Sequence, residues 1–223
     1  MEKIGIFGGT FDPVHWGHLL IAESALSQIK LDRVIWVTTP NPHYKQAVPF
    51  EHRLEMVQMA IADHPGFTIF PVLENMGGGE ATPPFFRNQC QVSTRSYAIQ
   101  TLFSLQAAYP NTDWYWILGL DTFQTLPRWY RLFEIATACN WIVAPRDSVV
   151  QQAIAQVQFT CEQVVQQLET QLYSIRWQIL DLPMVGVSSS LVRQRCRSNH
   201  SIRYLVPEPV RTYIASHNLY SDG

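Results

Sequence analysis

The sequence predicts an α/β fold, a mainly parallel sheet flanked by helices, with a small helical part at the C-terminus. Two observations carry this. Short apolar runs alternate along the chain with stretches of helical periodicity, the pattern of βαβ units joined by right-handed crossovers. The first apolar run also ends in a glycine-rich turn that opens a helix, and in such sheets ligands sit beyond the carboxyl ends of the strands. The chain has 223 residues, 47% of them hydrophobic and 15% charged. That composition suits one sizeable core and excludes a disordered chain.

The elements follow in order. Lys3 to Phe7 is a buried strand, and His15 to Ile29 is a helix with Leu19, Ala22, Leu26 and Ile29 on one face. DRVIWVTTP is a second strand, stopped by Pro40. EHRLEMVQMAIADHPG is a helix closed by Pro65-Gly66. FTIFPVLE is a third strand. STRSYAIQTLFSLQAAYP is a helix, with Ser93 or Thr94 as N-cap. DWYWILGLD, NWIVAPR and RWQILDLP supply the fourth, fifth and sixth strands. Asn75 to Cys90 is rich in Gly and Pro and reads as a long loop. Ser148 to Tyr173 is a Gln-rich helix. The whole chain, 1–223, reads as a single domain: a core over 1–186 and a helical segment over 187–223.

Composition also excludes function classes. The formal charge of -2 gives no global attraction to nucleic acid or to an anionic membrane, so an anion site must be local. No basic stripe with interleaved aromatics marks a nucleic-acid surface. Four scattered cysteines without a CxxC pair read as reduced thiols, with no metal site among them. The chain starts directly with a strand, and no apolar run reaches transmembrane length. The expectation is a cytoplasmic protein with no nucleic-acid or membrane partner. Whether it forms a homo-oligomer is left open.

The chemistry concentrates in GIFGGTFDPVHWGH, Gly5 to His18. Gly8 and Gly9 allow a tight turn and a close backbone approach to a ligand. The helix start that follows offers unpaired N–H groups and a positive dipole end, which is a phosphate site in principle. Neither the GxxxxGKS/T loop nor the GxGxxG fingerprint is present. His15 and His18 stand three residues apart, with Gly17 beside them leaving room for a bulky group. Two imidazoles facing a phosphate can donate to its oxygens and stabilise developing charge. A helix cap and a satisfied core histidine are the ordinary alternatives for this pair. Far down the chain VSSSLVRQR, Val187 to Arg195, sets serines before a helix that carries Arg193. The serines can cap the helix and donate to phosphate, and the arginine offers a planar fork. Taken alone, this reads first as an ordinary serine-capped helix with a solvated basic face.

GGTFDPVHWGH resembles the T/HxGH motif of the nucleotidyltransferase superfamily, and SSSLVR resembles its second signature. PNPHYK (Pro40 to Lys45), LGLDTFQTLPRWYR (Leu118 to Arg131) and SIRYLVPEPVRTYIASHNLY (Ser201 to Tyr220) resemble three further segments of the nicotinate-nucleotide adenylyltransferases, in the same order. The resemblance implies a Rossmann-like sheet of the nucleotidyltransferase type. It implies transfer of AMP from ATP to nicotinate mononucleotide, with Mg²⁺ accompanying the ATP and no metal ligands drawn from the protein.

Carried onto this sequence, the resemblance assigns catalytic roles to His15, His18, Lys45 and Arg193. It assigns nucleotide binding to Gly8, Gly9, Thr10, Phe11, Gly17, Asp121, Ser189 and Ser190, and the pyridine side to Ser96, Tyr97 and Trp129. A core tryptophan closing a short helix is the other reading of Trp129. The family's SYTxDTL is here SYAIQTL, with Ala98 and Gln100 in place of a threonine and an aspartate, and its GAD is here GLD, with Leu120 for alanine. These departures lie on the pyridine side. They keep open nicotinamide mononucleotide or another phosphorylated acceptor, and also a nucleotide-binding protein with weakened turnover. Phe85, Phe86 or Arg87 of the long loop is expected to reach over the pyridine pocket and replace the lost contacts, the alternative being a solvated surface insertion.

Overall fold

Among the described residues, six strands pair in parallel as one sheet: β1 (Glu2–Gly9), β2 (Arg33–Thr38), β3 (Phe67–Ile69), β4 (Thr112–Gly119), β5 (Cys139–Ala144) and β6 (Arg176–Ile179). Their order is β3-β2-β1-β4-β5-β6. The structure, a computed structural model, describes residues 1–40, 47–70, 98–145, 151–171, 174–183 and 185–221. Lys45, Ser96, Tyr97 and the Asn75 to Cys90 segment lie outside them, as do the expected caps Ser93 and Thr94.

The helices are α1 (Trp16–Ile29), α2 (Phe50–Ile61), α3 (Ala98–Ala108), α4 (Leu120–Phe123), α5 (Leu132–Ala138), α6 (Gln151–Thr170), α7 (Ser189–Arg197) and α8 (Glu208–Ser216), with a 3₁₀ turn at Leu126–Arg128. Strand order reverses between β1 and β4, which places a crevice outside the carboxyl ends of those two strands. The register defines its mouth. β1 pairs with β2 as far as Gly9 opposite Thr38, but with β4 only as far as Phe7 opposite Ile117. The two central strands therefore part at Gly8.

Both faces of the sheet are covered, so the central strands are apolar almost without interruption. On one face Ile4, Ile6, Trp116 and Trp141 pack with Leu102 and Leu105 of α3 and Ile135 of α5. The Gln-rich helix closes this layer. Val157, Cys161, Val164 and Leu168 of α6 recur at helical spacing and are buried, while its described glutamines, from Gln156 on, stay outside. On the other face Phe7 and Trp36 pack with Ala22 and Ala25 of α1 and Met56 and Val57 of α2. The C-terminal segment adds Val192 from α7 and Val210 and Ile214 from α8 to that same core, and α8 lies against α2.

Several boundaries differ from the sequence reading: β1 continues through Gly8 and Gly9, and β3 ends at Ile69, before Phe70. Leu120 and Asp121, read as the end of the fourth strand, form the first turn of α4. Gly119 is its extended N-cap residue, and an aspartate in a first turn complements the helix dipole. The sixth strand ends at Ile179, well before Pro183, with Leu180 making one more bond to Val143 O.

The expected reduced cysteines can be checked on two of the four. Burial pushes the Cys139 thiol up to about 12 and the Cys161 thiol up to about 11, so almost no thiolate exists at pH 7.5. Mass spectrometry after brief labelling of the native protein with a disulfide reagent should find both unmodified, and both modified in denaturant. Rapid native labelling of either would show that this core opens.

Candidate active site

The site grows from the end of β1. A Cβ on Gly9 would lie 2.8 Å from ring atoms of Phe11, so only glycine lets that ring fold back over the strand. Phe11 takes a left-handed backbone conformation (φ 48°). Its ring is buried against Phe7 and Trp36 and meets His18 edge-on at 5.1 Å. The Asp12-Pro13 peptide is cis. The chain then enters α1 with His15 as the extended N-cap residue.

His15 and His18 act as a pair at this helix start. The His15 backbone N–H donates to His18 Nδ1 at 3.3 Å, and the two rings stack with centroids 3.7 Å apart. With Nδ1 accepting, the proton of the neutral His18 ring resides on Nε2, which is then a donor. The helix cap and the candidate chemistry thus share the same side chains. Gly8 differs from Gly9: a Cβ there meets nothing within 4 Å, so it borders open space at the crevice mouth. At Gly17 a Cβ would stand 3.1 Å from the His15 ring and 3.4 Å from Val187 O. The room expected there for a ligand group is taken by the chain itself, because the segment leading into α7 passes this close to α1.

The two motifs from opposite ends of the chain are joined through the main chain between them. Ser189 Oγ donates to Pro13 O at 2.9 Å, and Arg193 Nη1 donates to Asp12 O at 2.7 Å. Arg193 Nη2 donates to Ser190 Oγ at 3.3 Å. Ser188, not Ser189 or Ser190, is the N-cap of α7, accepting from Leu191 N at 3.1 Å. Ser189 and Ser190, expected as phosphate donors, are both engaged in holding α7 and its arginine in place.

Arg53 on α2 is the residue that the sequence reading missed. It is 1% exposed and donates to four carbonyls: Val48 O at 3.0 Å, Thr10 O at 2.8 Å, Thr39 O at 2.7 Å and Pro40 O at 2.7 Å. One guanidinium thereby ties the turn after β1 to the chain leaving β2, the segment that leads to Lys45. Burial lowers the Arg53 pKa and the Asp12 carboxylate opposes that shift, so the charge is retained. The available signal was a lone arginine in an amphipathic helix, which normally means a solvated face.

Residues 6–195 match the family model described as Cytidylyltransferase-like. A protein of Trichormus variabilis named "Probable nicotinate-nucleotide adenylyltransferase" is 54% identical over 222 residues, covering 100% of this chain and 99% of its own. A protein of the same name from a Synechococcus strain is 41% identical, with 98% of this chain and 97% of its own covered. The chain belongs to the nicotinate-nucleotide adenylyltransferase family. Its fold is also that of the Plasmodium falciparum nicotinic acid mononucleotide adenylyltransferase. The structure of that enzyme complexed with APC gives a TM-score of 0.66 at 17% identity, covering 99% of this chain and 98% of the other. The same enzyme complexed with NaAD gives 0.64 at 18% identity.

Family motifs are not all in one place in this chain. Gly9, Thr10, Phe11, His15, His18, Ser189, Ser190 and Arg193 converge around the turn after β1. Asp121 begins α4 at the carboxyl end of β4, the strand beside β1. Trp129 caps the 3₁₀ turn and packs edge-on against Trp116 and Trp141, with its Nε1 donating to Thr125 Oγ1 at 3.0 Å. It is half-buried there, on the opposite face of the sheet from α1. Ala98 packs on the core at the start of α3, and Gln100 is exposed.

Replacing Arg53 by methionine leaves four inward carbonyls without their donor. The expected loss is about 3–5 kcal/mol of stability, in the range for removing one partner from a buried charged network. Urea unfolding of R53M measures it, and a loss under about 1 kcal/mol would show that the turn holds itself.

Proposed function

We infer that the protein transfers AMP from ATP to nicotinate mononucleotide, giving nicotinate adenine dinucleotide and pyrophosphate. The observation that carries this reading is the stacked His15–His18 pair at a helix N-terminus, joined to Arg193 through the Asp12–Pro13 backbone beside the β1/β4 crevice. It is supported by full-length relatives that bear the name of that activity.

The 5'-phosphate of the mononucleotide is itself the nucleophile. It attacks the α-phosphorus of ATP, and pyrophosphate leaves in line. The protein therefore needs no nucleophile of its own. Its task is to bring two polyanions together and stabilise charge on the transferred group. His18 Nε2 supplies a donor in a fixed geometry. Arg193 supplies a cation for the triphosphate, and Lys45 a second from the segment that Arg53 anchors. Gly8 leaves the crevice mouth open to the incoming phosphate. Asp121 at the head of α4 would contact a nucleotide sugar.

Among the described residues no group of three or more His, Cys, Asp or Glu forms a cation cage. The Mg²⁺ expected with ATP would keep phosphate oxygens and water as ligands. When bound, it neutralises charge on the triphosphate.

A second reading concerns the acceptor. Ala98 and Gln100 stand at the family's pyridine-side positions without its hydroxyl and carboxylate, so nicotinamide mononucleotide or another phosphorylated acceptor is the competing substrate. Pyrophosphate release with ATP and Mg²⁺ decides it: faster turnover per KM with nicotinate mononucleotide supports the first reading, and a reversed preference supports the second. No release with any acceptor would leave only nucleotide binding.

His18→Ala should cut kcat by about 100- to 1000-fold, the usual cost of losing one preorganised donor to developing charge. Circular dichroism should report an intact fold. Near-wild-type turnover would remove His18 from the reaction.

A further inference from the structure

Asp12 is an acidic side chain buried at the centre of a site that must hold polyanions. It is 4% exposed, and its two oxygens are treated differently. Oδ1 accepts from the Tyr220 hydroxyl at 2.8 Å and from the Val48 N–H at 3.3 Å. Oδ2 faces Arg193 Nη1 at 3.6 Å, while the same nitrogen donates at 2.7 Å to the Asp12 main-chain carbonyl. Tyr220 sits in a left-handed backbone conformation (φ 64°) at the end of the described chain, 208 residues from its partner.

The two arginines near this carboxylate are not equivalent. Arg53 is spent on four carbonyls and cannot turn toward it. Arg193 is a quarter exposed, and its 3.6 Å approach falls well short of the roughly 2.7–2.9 Å of a charge-assisted bond. A buried carboxylate deprived of a donor takes the nearest one it can reach. Here that is Arg193.

We propose that Tyr220 is a positioning residue for the triphosphate. By occupying Asp12 Oδ1 it keeps Arg193 from closing onto the carboxylate and leaves the guanidinium available to phosphate oxygens. This rests on the assignment of Arg193 to ATP made above. Burial beside Asp12 also raises the Tyr220 phenol well above its ordinary value, so the hydroxyl stays a donor throughout the working pH range.

The test is steady-state kinetics on Y220F, R193A, the double variant and D12N. Y220F should raise the KM for ATP by roughly three- to tenfold, the size of one ordinary hydrogen bond, because the effect reaches ATP only through Arg193. Its kcat and its KM for the mononucleotide should change less. R193A should raise the KM for ATP, and adding Y220F to it should raise that constant no further, because the effect passes through Arg193. D12N should lower the KM for ATP, since an amide does not draw the guanidinium; this arm stands even if Y220F fails to fold. A purely structural latch would lower the melting temperature and the amount of active enzyme, neither of which moves KM. The link to Tyr220 is overturned if R193A raises the KM for ATP while Y220F leaves it unchanged, if the two effects multiply in the double variant, or if D12N raises it. A wild-type KM for ATP in R193A removes Arg193 from the ATP site and this inference with it. Pyrophosphate release from nicotinate mononucleotide would still stand as a separate result.

Discussion

The turn from Thr10 to Val14 leaves a strand and enters a helix, and its inward carbonyls belong to neither hydrogen-bond ladder. Buried carbonyls without donors cost about 1–3 kcal/mol each. Two guanidinium groups and a serine take them: Arg53 at Thr10, Arg193 at Asp12 and Ser189 at Pro13. Much else depends on this solution. It fixes where α1 begins and hence where the two histidines stack. It ties α7 to the first loop and draws the chain leaving β2 toward the same point. Charged side chains suit the task, because one fork serves several carbonyls in a fixed plane.

The same arrangement explains how a chain of net charge -2 can present a site for phosphates. Local geometry, not overall charge, sets the field. The stacked histidine pair opens α1 beside the crevice, and two arginines lie close by. Asp12 lies near both, so that burying Arg53 does not leave an uncompensated cation. A carboxylate placed there is tolerable because Val48 and Tyr220 satisfy it without charge. One carboxylate offsets part of the charge of two guanidinium groups, and the cluster stays net cationic.

The two faces of the sheet divide the work. The face with α1, α2, α7 and α8 carries the histidines, the arginines and the turn between them. The other face is an aromatic layer in which Trp116, Trp129 and Trp141 pack together. Helix α6 covers that layer by a single apolar stripe, which is why a helix so rich in glutamine belongs to the fold. The crevice at the β1/β4 boundary is where the layers meet, and only there do Gly8 and the head of α4 come close in the sheet.

The sequence by itself determined the alternation of strands and helices, the glycine turn with its histidine pair, and the serine–arginine helix start. Each is written in residues a few positions apart, where period, glycine freedom and capping chemistry act locally. Tertiary structure alone decided what those residues touch. A Cβ at Gly17 would crowd the His15 ring and Val187 O. Ser189 and Ser190 hold protein atoms. Trp129 joins the core layer. Arg53 and Tyr220 carry no local signal, because their partners are main-chain carbonyls 43 residues away in one case and a carboxylate 208 residues away in the other. Bonds of that kind follow from how the chain folds back on itself, and no spacing along the sequence encodes them.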